Sequence, residues 1–167
     1  NFQIDFLAAD GHKWLLSVEG LGGFYINSKL LDEIYPTVVG WNSVDDAYNF
    51  MTYDFTFRPD ARRFEEGTFN SMSIQALGAS LSIFHEIGME NVKNRILELG
   101  DYLIEGIKKR NLSIYNSEKI NERSGIITFH FGDQNILTFM NENNLVLTVR
   151  DGLVRLSPHI YNTEEEA

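Results

Sequence analysis

The most regular apolar pattern in the chain lies in the stretch from Glu90 to Arg110. Its apolar residues recur at steps of four, three, four and four, namely Val92, Ile96, Leu99, Leu103 and Ile107. This spacing places all five side chains on one face of an α-helix. Three cations close the last turn, where they suit the negative end of the helix dipole: Lys108, Lys109 and Arg110. The pattern therefore predicts a helix that packs on a core through one face.

The segments around this helix predict a mixed fold. A second helix is expected over residues 71–87, with Gly88 as its stop. Beyond Asn111 the apolar period changes toward two, which predicts strands at residues 112–115, 125–131, 145–149 and 153–156, and a helix at 135–143. The Asp151-Gly152 pair between the last two strands is typical of a hairpin turn. Helices followed by strands indicate a small α+β lobe in the second half.

The stretch from Asp10 to Gly23 is the first candidate for a chemical site. It contains Lys13 at the end of an apolar run and a glycine-rich turn before the next apolar run, which predicts strand, turn and strand. We expect Trp14 to shield Lys13 partly from water, and desolvation disfavours the charged ammonium. A neutral amine can attack a carbonyl carbon. The alternative is that the lysine stem packs on Trp14 while the ammonium stays in water.

A second candidate site lies at the expected start of the helix over residues 71–87. Gly67 frees the backbone, and both Thr68 and Asn70 can cap a helix N-terminus. Free N–H groups at a helix N-terminus favour an anion, so Thr68 is a candidate phosphate ligand. The plainer alternative is an N-cap with no ligand.

Two arginines flank the predicted hairpin near the end of the chain, Arg150 and Arg155. A guanidinium offers a planar fork of donors that matches a carboxylate, so pockets for amino acids or keto acids often contain one. The alternative is that both arginines are surface ion-pair residues in an acidic chain.

Composition excludes several classes of function. The 167 residues carry 24 acidic and 14 basic side chains, for a formal net charge of −10. That charge argues against a nucleic-acid partner or an anionic membrane surface. No apolar run approaches the roughly 20 residues that a membrane span needs, and a cytoplasmic protein fits. The chain contains no cysteine, which excludes disulfides and thiolate metal sites within it, and no metal site is predicted.

Three separated segments resemble class V aminotransferases, which are fold-type I pyridoxal-phosphate enzymes. The first reads D-F-L-A-A-D-G-H-K-W-L followed by E-G-L-G-G-F-Y, the second R-F-E-E-G-T-F-N, and the third V-R-L-S-P-H-I-Y-N-T-E-E-E. The resemblance implies an α/β fold, namely the C-terminal portion of such an enzyme. Residues 1–88 would end the large cofactor-binding sheet domain, and residues 89–167 would form a truncated small α+β domain. A fragment of this kind is expected to be inactive alone.

The same resemblance implies roles for individual residues. Lys13 would form the Schiff base with pyridoxal phosphate, and His12 would lie beside the cofactor phosphate. Thr68 would reach the cofactor phosphate of the neighbouring subunit, which implies a homodimer with shared active sites. Arg155 would bind the substrate carboxylate, with Arg150 as a second candidate. Asp10 stands where many relatives carry a phosphate-binding serine, and no role is transferred to it because a carboxylate repels a phosphate dianion.

One departure from the family pattern shapes the expected reaction. Cysteine desulfurases carry a catalytic cysteine between the two arginines, whereas this chain has Asp-Gly-Leu-Val there. We therefore expect a transaminase, epimerase or lyase that acts on an amino acid or keto acid, and not a cysteine desulfurase. The alternative function is a non-catalytic α/β fragment that dimerises or binds a partner.

Overall fold

The computed structural model describes residues 3–132 and 135–167. The chain divides into two compact units, Asn1–Ile83 and Phe84–Ala167. The strands and α-helices follow one another as β1 (Phe6–Asp10), β2 (Gly22–Ile26), α1 (Ser71–Ile87), α2 (Met89–Lys109), β3 (Ser113–Ile114), β4 (Ile127–His130), α3 (Ile136–Glu142), β5 (Thr148–Arg150) and β6 (Leu153–Leu156). Two short 3₁₀ helices, Ser28–Leu30 and Ala61–Phe64, lie between β2 and α1.

The first unit begins with the predicted strand, turn and strand. Strands β1 and β2 pair antiparallel, with Phe6 opposite Ile26 and Asp10 opposite Gly22. Gly22 is required at this position, because a Cβ atom there would lie 2.6 Å from the carbonyl oxygen of Ala9. Because β1 and β2 are antiparallel, the turn between them lies at one end of the two-stranded sheet. The strand pairing therefore fixes where the turn residues lie.

Hydrogen bonds to buried polar groups hold the long segment between β2 and α1. Arg63 is buried, and its Nε atom donates to the carbonyl oxygen of Arg58 at 2.8 Å. Arg58 in turn donates from Nε to the carbonyl oxygen of Asn42 at 2.7 Å. Asn42 and Ser43 are themselves buried. A loop organised in this way satisfies its backbone carbonyls with side chains, which is what a buried irregular segment needs.

The two long helices confirm the sequence prediction. Helix α1 spans the predicted residues, and the Asn70 side chain caps it by accepting from the backbone N–H of Ser73 at 3.2 Å. Gly88 separates α1 from α2 with a φ of +81°, a left-handed conformation that glycine adopts without a Cβ penalty. Helix α2 begins and ends one residue earlier than predicted.

The second unit packs α2 on a four-stranded antiparallel sheet of order β3-β4-β6-β5. The five apolar residues that define the predicted face of α2 are all buried. The core cluster joins this face to the sheet and comprises Leu103, Ile104, Ile107, Ile127, Phe129 and Val154. Within this unit, a helix thus packs on one antiparallel sheet.

The hairpin between β5 and β6 forms at the predicted pair. Asp151 and Gly152 have φ values of +50° and +76°, and two successive residues with positive φ match the twist of a tight hairpin. Strand β5 is shorter than predicted and begins only at Thr148. Its partner β6 has four residues, and the register pairs Thr148 with Arg155 and Arg150 with Leu153. In this register the predicted residues 145 and 146 run past Leu156, where β6 ends.

No helix among the described residues is long and apolar enough to cross a membrane.

Candidate functional site

Lys13 lies in a closed turn at the end of β1. The backbone N–H of Gly11 donates to the carbonyl oxygen of Leu21 at 2.9 Å, and the N–H of Ser17 donates back to the carbonyl oxygen of Gly11 at 2.9 Å. Gly11 is buried, and a Cβ atom on it would lie 3.0 Å from the Leu21 oxygen. The turn therefore has little room to change shape, and it presents Lys13 at a defined place beside the strand pair.

The turn also contains backbone strain that its surroundings hold in place. Leu16 has a φ of +56°, which is uncommon for a residue with a branched side chain. The N–H of Leu16 donates to the carbonyl oxygen of Lys13 at 3.1 Å, and the Ser80 hydroxyl on α1 donates to the carbonyl oxygen of Leu15. Strained backbone of this kind persists where neighbouring structure determines it, and it is concentrated at functional sites.

The expected shielding of Lys13 is wrong for this chain. Its side chain is 70% exposed, and Trp14 is also exposed. The physical reason is that every residue of β1 is exposed, so no second layer of the described residues covers this end of the strand pair. Lys13 instead forms an ion pair with the Asp10 carboxylate. The alternative of a solvated ammonium is closer to what the structure shows.

The Lys13–Asp10 contact sets the electrostatics of the turn. The hydrogen bond from Lys13 is the largest influence on the pKa of Asp10 and holds it below its usual value. Desolvation opposes this lowering, and smaller electrostatic contributions from Lys13 and His12 add to it. Asp10 is therefore an ionised carboxylate at neutral pH, and it is the group that the Lys13 ammonium contacts.

The segment that carries Thr68 is attached to the chain that follows Lys13. Asn70 donates from Nδ2 to the carbonyl oxygen of Gly20, and Ser73 donates from Oγ to that of Glu19, both at 3.4 Å. Thr68 itself is exposed and makes no hydrogen bond with the described residues, while Asn70 provides the cap. The Thr68 hydroxyl is therefore available to a ligand, which the simple N-cap alternative did not predict.

The chain just before Thr68 is packed against the loop that contains Trp41. The backbone N–H of Asn42 donates to the carbonyl oxygen of Glu66 at 3.1 Å. A Cβ atom on Gly67 would lie 3.3 Å from Nε1 of Trp41, so a larger residue at 67 would press on the indole. Gly67 thus has a packing role in addition to the backbone freedom that the sequence indicated.

The two predicted substrate arginines lie on one face of the sheet in the second unit. Arg155 is directly opposite Thr128 on one side and Thr148 on the other. Arg150 is two residues beyond Thr148 on the same strand, so the two arginines are diagonal neighbours on the face opposite the buried Val154. This arrangement presents two guanidinium groups from one surface.

Arg155 differs from Arg150 in its burial. Its Nε atom is buried and has no hydrogen-bond partner among the described residues. A buried donor without a partner is costly and calls for an acceptor that the described residues do not supply. The buried Nε of Arg123 also lacks a partner, but that guanidinium is paired with Asp101, whereas Arg155 has no ion pair in the described part of the chain.

The structure places the predicted residues in two groups. His12, Lys13 and Thr68 belong to the first unit, and Arg150 and Arg155 belong to the second. Within residues 3–132 and 135–167 there is no cluster of three or more His, Cys, Asp or Glu side chains that could hold a metal ion.

The residues of the first unit fit an aldehyde cofactor with a phosphate group. Lys13 offers an exposed primary amine, and Thr68 offers a hydroxyl without a partner among the described residues. His12 is exposed next to Lys13 in the same turn. The discordant group is Asp10, whose negative charge suits the ammonium but not a phosphate.

Sequence reasoning missed the role of Asp10 as the partner of Lys13. The signal was present as the three-residue spacing between an acid and a lysine where a strand ends. The buried Ser17 hydroxyl, which has no partner among the described residues, was also not singled out. Nothing in its sequence context distinguishes it from a surface serine.

The chain is similar to proteins named cysteine desulfurases and aminotransferases. It is 29% identical over 181 residues to a cysteine desulfurase of Cronobacter sakazakii, with 97% of this chain and 43% of the relative covered. It is 23% identical over 163 residues to an uncharacterized aminotransferase of Bacillus subtilis, with 98% and 43% covered. The chain thus spans less than half the length of the curated relatives it matches.

Solved structures confirm the fold. The cystine C–S lyase C-DES, determined in complex with its reaction product cysteine persulfide, superimposes with a TM-score of 0.85 at 26% identity and covers 98% of this chain and 44% of that protein. The apo cysteine desulfurase of Thermococcus onnurineus NA1 gives a TM-score of 0.83 at 24% identity and shows the fold alone. The expected α/β architecture, as one portion of a fold-type I enzyme, is confirmed.

The expectation that the protein is not a cysteine desulfurase is wrong. Relatives that cover nearly all of this chain are named cysteine desulfurases, and the superimposed structures are enzymes that act on cysteine or cystine. The turn between Arg150 and Arg155 does not decide the reaction. The absence of a thiol between Arg150 and Arg155 shows only that this turn does not supply it, because a sulfur-accepting thiol can come from another segment or another molecule.

A family model described as aminotransferase class V matches residues 1–167. The match confirms the resemblance carried by the three sequence motifs. It also confirms pyridoxal phosphate as the expected cofactor, and a structure of C-DES contains a ligand covalently linked to that cofactor. The chain belongs to the class V aminotransferase family of pyridoxal-phosphate enzymes.

Proposed function

We propose that the full protein cleaves the carbon–sulfur bond of cysteine or cystine with pyridoxal phosphate, as a cysteine desulfurase does. The observation that carries this proposal is the likeness of almost the whole chain to cysteine desulfurases and to a cystine C–S lyase. The proposal is also supported by the exposed amine of Lys13, which lies in a turn with strained backbone at Leu16.

Each candidate residue has a task in this reaction. Lys13 would hold the cofactor through Nζ, and the same amine would carry the proton at the substrate Cα atom. The cofactor, when bound, supplies the electron sink for the bonds at that carbon. His12 and Thr68 hold the phosphate end. Arg155 binds the substrate carboxylate through its fork of donors, and its buried Nε without a partner supports this role.

The sulfur must leave to an acceptor. The chain has no cysteine, so a protein thiol that accepts sulfur from cysteine would come from outside these 167 residues. Cystine needs no added acceptor, because cleavage of one C–S bond leaves both sulfur atoms on the departing half as cysteine persulfide. Either substrate is compatible with the residues present.

We propose a homodimer in which Thr68 serves the phosphate site of the neighbouring subunit, and a cytoplasmic location. The assignment of residues 1–88 to the cofactor-binding domain and of residues 89–167 to the small domain is likewise a proposal.

The attachment of the cofactor is tested by reduction and peptide mapping. The full-length protein is mixed with pyridoxal phosphate and treated with borohydride, and the labelled peptide is identified by mass spectrometry. We expect the label on Lys13 and its loss in Lys13→Ala. Lys29→Ala is the matched control, because Lys29 is another exposed lysine of the first unit. Undiminished labelling of Lys13→Ala would show that the lysine assignment is wrong.

The reaction is tested on the same preparation. We expect sulfide from cysteine in the presence of a thiol, or persulfide from cystine, with Lys13→Ala inactive toward both. A loaded protein that releases neither product, but transfers the amino group of an amino acid to a keto acid, would contradict the proposed reaction.

A further inference from the structure

The contact between Asp10 and Lys13 is the feature of the candidate site that no family role explains. Asp10 is the last residue of β1, and its Oδ2 atom accepts a hydrogen bond from Nζ of Lys13. The Asp10 and Lys13 side chains are 42% and 70% exposed. The lysine nitrogen that would attach the cofactor is therefore already occupied by a carboxylate.

The turn holds this pair together. Asp10 is fixed by its pairing with Gly22 across the two strands. The turn that carries Lys13 is closed by two backbone bonds of Gly11, which donates to the carbonyl oxygen of Leu21 and accepts from the N–H of Ser17. Because backbone hydrogen bonds already fix the main chain at both residues, the entropy cost of bringing the two side chains together is smaller than for a pair on mobile segments.

We propose that Asp10 is a positioning residue that holds Nζ of Lys13 before the cofactor binds. This contact slows the attachment of the cofactor to Lys13. This inference rests on the proposed attachment of the cofactor to Lys13. The contact with Asp10 must break before Nζ reaches an aldehyde carbon. The ammonium then gives a proton to water, the nitrogen lone pair forms a C–N bond, and the aldehyde oxygen leaves as water while a C=N bond forms.

The contact between Asp10 and Lys13 predicts that the rate effect does not depend on the cofactor phosphate. Asp10 contacts the lysine nitrogen, so removal of its charge speeds the condensation equally for pyridoxal phosphate and for pyridoxal, which lacks the phosphate. If Asp10 acted on the phosphate end of the cofactor, the substitution would change the condensation rate of pyridoxal phosphate and leave that of pyridoxal unchanged. Since both side chains are well exposed, salt screens their attraction, and the effect disappears in concentrated salt.

The experiment measures the rate of C=N formation by absorbance in the full-length protein freed of cofactor, at neutral pH. Asp10→Asn keeps the shape of the side chain and removes the charge. We expect its rate to rise about two- to five-fold in low salt with both aldehydes, as the loss of an exposed ion pair allows. In about 1 M salt, where the screening length is only about 3 Å, the ratio falls to near one.

Two further variants separate this role from a structural one. Asp10→Glu keeps the charge and is expected to stay near the wild-type rate. Glu90→Gln removes the partner of Lys93, an exposed pair with the same three-residue spacing on α2, and is expected to leave the rate at Lys13 unchanged.

The outcomes distinguish this inference from the proposed function. A wild-type protein that is labelled on Lys13, together with an Asp10→Asn rate that is equal or slower, overturns the role of Asp10 alone. A faster rate with pyridoxal phosphate but not with pyridoxal places the effect at the phosphate and also overturns it. A wild-type protein that is not labelled on Lys13 overturns both the attachment and this inference.

Discussion

The guanidinium of Arg63 donates a hydrogen bond to the backbone carbonyl oxygen of Leu31, which lies 32 residues earlier in the chain. The same side chain donates to the carbonyl oxygen of Arg58 and lies over the ring of Phe57, 5.7 Å from its centroid. One buried cation thus joins three parts of the segment between β2 and α1. Arg62, the preceding residue, is exposed and pairs only with Asp60 among the described residues.

Replacement of Arg63 by alanine is expected to destabilise the protein by about 2–3 kcal/mol, because one buried and one partly buried hydrogen bond to carbonyl oxygens lose their charged donor. Arg62→Ala is the matched control, and its effect should stay within about 0.5 kcal/mol, as for other exposed ion pairs. Urea unfolding followed by fluorescence measures both. Equal effects of the two variants would show that the bonds of Arg63 do not stabilise the loop.

Replacement of Gly125 by alanine tests the packing of the second unit. A Cβ atom at this position would lie 2.3 Å from Cγ2 of Ile96 on the buried face of α2, so the helix or the chain just before β4 must shift. We expect a loss of about 1–3 kcal/mol, which is typical of overpacking. Thermal unfolding of the full-length protein measures it.

Gly106→Ala is the control for that variant. Gly106 lies on α2, and a Cβ atom there would meet only the end of the Arg110 side chain at 3.6 Å. Alanine should stabilise the helix by up to about 1 kcal/mol. A combined Gly125→Ala and Ile96→Ala protein should lose less than the sum of the two single losses, because the clash is shared. Strict additivity would contradict the contact.

Replacement of Arg155 by alanine tests the proposed carboxylate site. We expect KM for the amino acid substrate to rise roughly 30-fold or more, as on truncation of one partner of a buried charge pair, with a smaller change in kcat. Arg150→Ala should have a weaker effect, because Arg150 is exposed. Steady-state kinetics of the full-length enzyme compare the two. A larger rise in KM for Arg150→Ala than for Arg155→Ala would show that Arg150, and not Arg155, is the main carboxylate ligand.

Replacement of Thr163 by alanine tests the capping box near the end of the chain. The Thr163 N–H donates to Oε2 of Glu166 at 2.8 Å, and the Glu166 N–H donates to Oγ1 of Thr163 at 3.2 Å. The first of these bonds is the main cause that lowers the pKa of Glu166. Without the hydroxyl the turn loosens, so this pKa should rise toward its ordinary value, while Thr163→Ser should preserve it.

A carbon-detected NMR titration of the Glu166 carboxyl measures this shift. Because the pKa is depressed in the folded state, the capping contribution is present above the ordinary pKa and is lost as the pH falls through the folded value. An unchanged pKa in Thr163→Ala would show that the backbone bond does not depend on the hydroxyl.

Local patterns predicted much of the fold. The stripe of α2, from Val92 to Ile107, identified a buried face because helical periodicity is a property of neighbouring residues alone. The Asp151-Gly152 hairpin followed for the same reason, since positive φ values are a local preference. The length of β5 did not follow, because it depends on which residues of β6 stand opposite.

For the candidate site, too, some properties follow from the sequence and others only from the tertiary structure. The sequence by itself determined the family, the candidate lysine and the candidate arginines, because these are residue types in characteristic segments. Only the tertiary structure decided that Lys13 is exposed and bound to Asp10, that Asn70 and not Thr68 caps α1, and that Nε of Arg155 is buried without a partner among the described residues. The local spacing of Asp10 and Lys13 permits their contact without requiring it, and the exposure of a side chain depends on atoms that only folding brings together.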